Sequence, residues 1–189
     1  MLPWKRNRPE NEAVMRTGAG VFAFWTFVVL AVLLVGEAAL RGRFDVVADV
    51  APWVALVLWG LWVLAYRPLI SYDDSGVRVV NIFRTVTMPW SRVREITDRL
   101  QISFVLHDGR TIRCWGGPMK ARPPRKSRFT RSSGIPDTPP PTPLEQLERV
   151  WEPGRFSKDP APVTQTWDLV PIISGAVILL WVAFTLLLK

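Results

Sequence analysis

The sequence predicts a membrane α-helical chain that carries one small β-rich domain, and three observations predict it. Apolar residues make up 49% of the 189, and most gather into three blocks at residues 20–40, 50–66 and 169–188. Between the second and third blocks they alternate with polar residues at a period of two, the spacing of half-buried strands. Basic residues crowd the segments outside the blocks: residues 67–167 hold 17 Lys or Arg against 10 acids, and residues 1–19 hold four against two.

The chain begins with a basic tail, residues 1–19, followed by a transmembrane helical hairpin over residues 20–66. The first block is 21 residues long, enough at about 1.5 Å per residue to span the roughly 30 Å hydrocarbon layer. Its twelve Val, Leu and Phe residues favour insertion by roughly 4–7 kcal/mol, whereas Glu37 costs at most about 3 kcal/mol at a helix centre. Glu37 lies near the outer end and can pair with Arg41 one turn on. A cleaved signal peptide is the competing reading, but its apolar core would run only about 7–15 residues. The second block is shorter, 17 residues, with Pro52 expected in its first turn and Trp53 and Tyr66 as interfacial anchors. Residues 41–49 then form a tight outer turn. The third block follows residue 167 and carries thirteen Val, Leu, Ile and Phe residues and no charge. The third transmembrane helix is therefore drawn over residues 168–189.

Lys and Arg stay on the cytoplasmic side of short segments, which puts both the tail and the central domain inside the cell and the chain in the plasma membrane as a multi-pass protein. That domain is expected over residues 67–152, with a linker at residues 153–167. Runs at residues 69–72 and 77–82 flank the turn Asp73-Asp74-Ser75-Gly76. A second hairpin brings Val86, Met88 and Trp90 to one face. Leu100, Ile102, Phe104 and Leu106 point one way and Gln101 and Ser103 the other, and after Asp108-Gly109 the run resumes with Ile112 and Cys114. Asp-Gly between such runs predicts a hairpin with a type I′ turn. The one soluble helix starts at Thr142, where Thr-Pro-Leu-Glu forms a capping box and Leu144, Leu147 and Trp151 share a face. Six or seven strands and one helix add up to a small barrel-like sheet plugged by the helix.

Some of these strings carry a resemblance. Asp74-Ser75-Gly76-Val77-Arg78-Val79, Arg84, Met88-Pro89-Trp90-Ser91-Arg92-Val93 and Leu106-His107-Asp108-Gly109-Arg110 together resemble the bacterial PH-like domains of small actinomycete membrane proteins. The resemblance covers about 45 residues. It implies a PH-like barrel, often behind two membrane helices, and a family with no established enzymatic activity. The chain departs from that pattern by a basic, Pro-rich insert at residues 116–143 and by the third span. A phosphoinositide pocket of the PH type would need cations around the first hairpin turn, where this chain has Asp73 and Asp74.

The candidate contact site lies in the insert. Lys120, Arg122, Arg125, Lys126, Arg128 and Arg131 have no acid among them, and the surrounding prolines oppose regular structure. Held beneath a bilayer, each cation contributes about 1 kcal/mol of attraction to anionic headgroups. The expected partners are therefore the membrane itself and anionic lipid headgroups or an acidic protein partner, with no specific nucleic acid. Phosphorylation at Ser127, Thr130, Ser132 or Ser133 would weaken the contact. With one cysteine and one histidine, neither an intrachain disulfide nor a Cys/His metal site can be assembled, and no Gly-rich phosphate loop is present. No enzyme, cofactor, metal or catalytic residue is expected. Trp90 and Cys114 read as core and His107 as exposed. A membrane-anchored interaction module or scaffold is the leading functional reading. The alternative is an accessory subunit of a transporter or cell-envelope complex, possible because Gly18, Ala19, Gly20 and Ala23, and Ser174, Gly175 and Ala176, permit close helix packing.

Overall fold

The structure, a computed structural model, describes residues 12–99, 101–117, 141–157 and 161–187. Its first element is a short strand, β1 (Ala13–Met15), which leads into α1 (Gly18–Leu40). This helix ends because Gly42 adopts φ +71°, and the N–H of Gly42 and that of Arg43 donate back to the carbonyls of Ala39 and Ala38. Paired in this way, the bonds make a Schellman stop that only a residue without Cβ takes up freely. The turn between the first two apolar helices is thus three residues rather than residues 41–49, since α2 (Phe44–Leu61) starts directly after it. Pro52 consequently falls inside α2 and not in its first turn. A proline there removes one backbone bond, which an apolar helix packed against neighbours tolerates. The chain then makes a π-helical turn, Trp62–Tyr66, closed by the Arg67 N–H on the Trp62 carbonyl at 2.8 Å.

Six strands follow: β2 (Leu69–Tyr72), β3 (Gly76–Val80), β4 (Arg84–Pro89), β5 (Val93–Asp98), β6 (Ile102–Leu106) and β7 (Thr111–Arg113). The helix α3 (Pro143–Gly154) is next, then β8 (Thr164–Trp167) and α4 (Leu169–Leu187). Among the described residues all pairing is antiparallel, in a five-stranded sheet of order β1-β2-β3-β4-β8 and a three-stranded sheet β5-β6-β7. The residues expected in a basic tail and in a linker therefore supply the two edge strands of the larger sheet. Three helices, Gly18–Leu40, Phe44–Tyr66 and Leu169–Leu187, are long and apolar enough to cross a membrane.

Pro89 ends β4, and because it has no N–H it cannot extend the ladder. A single 3₁₀ turn, Trp90–Arg92, carries the chain from one sheet to the other. Trp90 thus sits in that turn rather than on a strand, fully buried, with its indole N–H on the Asp73 carbonyl at 2.7 Å. Both sheets share one core, in which Ile70, Val79, Met88, Ile102, Phe104, Leu106 and Cys114 are all at or below 1% exposure. The expected alternation is present over β6, with Ile102, Phe104 and Leu106 inward; Leu100 lies outside the described residues. The α3 helix has the capping box, Thr142 with Glu145. It covers the core by burying Leu147 and donating the Trp151 indole N–H to the Val93 carbonyl at 3.0 Å.

Two further expectations change. The Asp108-Gly109 turn is not type I′, since Gly109 alone has positive φ. The Gly109 N–H reaches the Leu106 carbonyl, and the Leu106 N–H reaches Arg110, giving a three-residue loop with its left-handed position at Gly109. Among the described residues the barrel is also not closed. Where a ladder would join β7 to the β3–β4 turn, Asn81 stands in for it: its amide donates to the Arg113 carbonyl at 2.9 Å and accepts from the Trp115 N–H at 2.8 Å.

Candidate functional site at the helix roots

Each apolar helix joins the larger sheet within a few residues. β1 precedes α1 by two residues, β2 follows the π-helical turn by two, and one residue separates β8 from α4. The roots of all three helices therefore gather at one end of the sheet, and the β3–β4 turn, residues 81–83, lies among them.

Arg67 ties this end together. Its guanidinium donates to the carbonyls of Asn81 and Ile82 and to the Asp168 carboxylate. Asp168 also accepts from the Thr85 hydroxyl at 2.6 Å, and its own N–H donates to the Phe83 carbonyl at 2.9 Å. Both charged side chains are largely withdrawn from solvent, 13% and 28% exposed. A withdrawn ion pair of this kind is stable only when its remaining donors and acceptors are satisfied, and here the turn carbonyls and Thr85 do that. The Thr17 hydroxyl, at the start of α1, donates to the Gly117 carbonyl at 3.1 Å, so the segment after β7 is bound in as well. Gly116 packs so closely on Pro68 that a Cβ would lie 2.4 Å from its backbone.

Beside the clamp is an open groove of about 430 Å³ lined by Asn81, Arg84, Gln101, Arg113, Trp115 and Trp167, among others. A second hollow shares Asn81, Arg84 and Arg113 and extends it toward Arg110 and Gln165. Among the described residues, neither lining includes an acid. The Arg84 guanidinium stacks 3.9 Å above the Trp167 ring, while Trp115 and Trp167 are both more than half exposed.

The opposite end of the sheet is different in character. The Asp73 carboxylate accepts from the Ser75 N–H at 2.7 Å and the Gly76 N–H at 3.0 Å, closing the first hairpin turn around a negative charge. β2 separates that turn from the helix roots by four residues, about 13 Å of strand.

Of the residues singled out in the sequence, Trp90 and Cys114 are core and His107 is exposed. Burial drives the Cys114 thiol far above its ordinary range, so it stays a neutral, inert side chain. Burial also raises the Tyr72 phenol. The Arg110 N–H and then its guanidinium hold the exposed Asp108 carboxyl below the usual range. Glu37 pairs with Arg41 as expected. Lys120, Arg122, Arg125, Lys126, Arg128 and Arg131 lie outside the described residues. Two of the small residues of the helices pack within the chain: a Cβ on Gly20 would meet the Ala65 carbonyl at 2.4 Å, and one on Gly175 the Trp59 ring at 2.3 Å, whereas one on Gly18 would meet nothing within 4 Å. Trp59 also donates its indole N–H to the Ser174 hydroxyl at 3.1 Å and the Pro171 carbonyl at 3.2 Å.

Two sheets joined by a one-turn bend and covered by a single helix are the frame on which the family comparison bears. Residues 67–116 match the family model of the bacterial PH domain. The match runs from Arg67 through β7 to Gly116, and it leaves out β1, β8, α3 and the three apolar helices. Its description names bacteria and no narrower group. No curated protein and no solved structure matches the chain. The PH-like domain together with the apolar helices is compatible with a membrane-associated module. Sequence reasoning missed the Arg67–Asp168 clamp and the Arg84–Trp167 stack. A basic residue directly after one apolar block and an acid directly before the next was the signal for the first.

Proposed function

We propose that the protein is a membrane-anchored, non-enzymatic interaction module. Its three helices cross the plasma membrane, and its PH-like domain is held against the cytoplasmic face, where it recruits a protein partner or anionic lipid. The observation that carries this reading is the convergence of all three helix roots on one sheet. With β1 paired to β2, the α1–α2 hairpin leaves and returns to the same sheet, so the tail and the domain share a side. Arg16, Arg67, Arg84 and Arg113 lie at that end, whereas the α1–α2 turn balances Arg41 and Arg43 against Glu37, Asp45 and Asp49. This asymmetry favours the cytoplasm for the domain.

The basic insert, with Lys120, Arg122, Arg125, Lys126, Arg128 and Arg131, is the proposed recruiting arm. The alternative, an accessory subunit acting through its helices, has less behind it, because Gly20 and Gly175 are occupied by contacts inside the chain. Two experiments test the proposal. Protease added to intact spheroplasts should leave residues 67–167 whole and should cut them in inside-out vesicles; digestion in spheroplasts would reverse the orientation. Cross-linking in intact membranes, with the six arm cations changed to Gln in the full chain, should then lose the captured partner or lipid. Unchanged capture would remove the arm from the mechanism.

A further inference from the structure

The groove at the helix roots has a chemistry separate from that of the arm. Arg84 and Arg113 enter it from two different sheets, at the end of the domain where the chain passes into its apolar helices. Among the described residues neither has a carboxylate partner, while Asp168, the acid nearest the α4 root, is held by Arg67 and Thr85. Stacking on Trp167 fixes the plane of the Arg84 guanidinium without using its N–H donors, which stay available to an anion. Asn81 fixes the Arg113 backbone in the same way, through the Arg113 carbonyl. Trp115 and Trp167, exposed at 58% and 57%, flank these cations. Indole rings with one wet and one apolar side favour the headgroup level of a bilayer. Trp167 is two residues from the start of α4, and Trp115 immediately precedes Gly116, which packs on Pro68.

We propose that this groove is a headgroup site for an anionic phospholipid of the leaflet beside the domain, its phosphate held by Arg84 and Arg113 and its glycerol region set against Trp115 and Trp167. Arg110 contributes less, because Asp108 already engages it at 2.7 Å. The site differs from the phosphate pocket that the PH resemblance brings to mind, since the Asp73–Gly76 turn is at the opposite end of β2 and carries acids. It rests on the reading that the helices span the bilayer, and it makes the domain a reader of the lipid in which it is anchored.

The test uses the full chain in phosphatidylcholine nanodiscs with spin-labelled phosphatidylglycerol, against spin-labelled phosphatidylcholine as reference. The unaltered protein should prefer the phosphatidylglycerol label. Arg84→Gln with Arg113→Gln should lower that preference by roughly twenty-fivefold, each cation near an anionic surface being worth a factor of about five. Arg84→Lys with Arg113→Lys should keep most of it. The arm variant with six Gln substitutions should retain the groove's share. Unchanged preference in the double Gln variant, or complete loss in the arm variant alone, would overturn the assignment. So would displacement of the label by inorganic phosphate beyond that caused by sodium chloride of equal ionic strength, which would give the groove to a free anion. Extraction of the chain from membranes by alkaline carbonate is a separate readout. Release there would overturn the spanning reading, and the groove assignment with it, whereas retention with unchanged lipid preference would overturn the groove alone.

Discussion

The three-stranded sheet and the five-stranded sheet share a core, yet they are built from the chain in opposite ways. β5, β6 and β7 lie within residues 93–113 and pair only with sequence neighbours, so each of their hydrogen bonds closes a short loop. The larger sheet gathers β1 from before the first apolar helix, β2 to β4 from after the second, and β8 from before the third. Its edge strands are three and four residues long, too short to be stable as isolated pairs. They are kept in register because the helices that follow them are fixed by Arg67, Thr17 and the α2 packing. One sheet is a local folding unit, and the other is the coupling between domain and helices.

The sharpest way to break the comparison is at the bend where the two sheets meet. Trp90→Ala removes a fully buried indole and should cost about 4 kcal/mol, with both sheets unfolding together in denaturant titrations of the full chain in detergent. Loss confined to one sheet would show that the core is not shared. Arg67→Ala leaves Asp168 without its cation and should cost about 3 kcal/mol. Hydrogen exchange should speed up in β4 and β8 while β6 and β7 stay protected. Gly175→Ala forces a methyl into the Trp59 ring, for a loss of about 2 kcal/mol, read as a lower thermal midpoint in detergent with sheet exchange unaltered. Thr142→Ala removes the α3 cap at about 1 kcal/mol, and here the effect should fall on β5 rather than on β8.

The sequence made the smaller sheet legible because period-two alternation, Gly109 and the Thr142 capping box are all local signals. The buried state of Cys114 followed from the same alternation, whereas Trp90 is buried from a 3₁₀ turn and not from the strand expected for it. β1 and β8 left no such trace: Ala-Val-Met and Thr-Gln-Thr-Trp are too short to show a period, and what makes them strands is a partner more than fifty residues away. The early start of α2 was hidden by Asp45 and Asp49, whose charges lower the apolar density of its first turns. Gly42 after Arg41 was a readable stop for α1, and it would have shortened the expected turn. In the groove, Arg84 and Trp167 are 83 residues apart, and only the β4–β8 register brings them together. Strand patterns alone suggest a continuous ladder, whereas among the described residues the two sheets are separate and Asn81 bridges them by side-chain bonds to Arg113 and Trp115.

Cross-linking in native membranes tests most directly whether the flanking segments belong to the sheet. With Cys114 changed to Ala, the pairs Val14→Cys with Ser71→Cys, and Thr87→Cys with Thr164→Cys, stand directly opposite in the registers of β1–β2 and β4–β8. At Cα separations of about 4.5–5.5 Å they suit a disulfide. Mild oxidation should therefore link both pairs rapidly, and pairs shifted by one residue should lag far behind. Equal linking of the shifted pairs, or none in either register, would contradict a domain whose sheet holds the roots of all three helices.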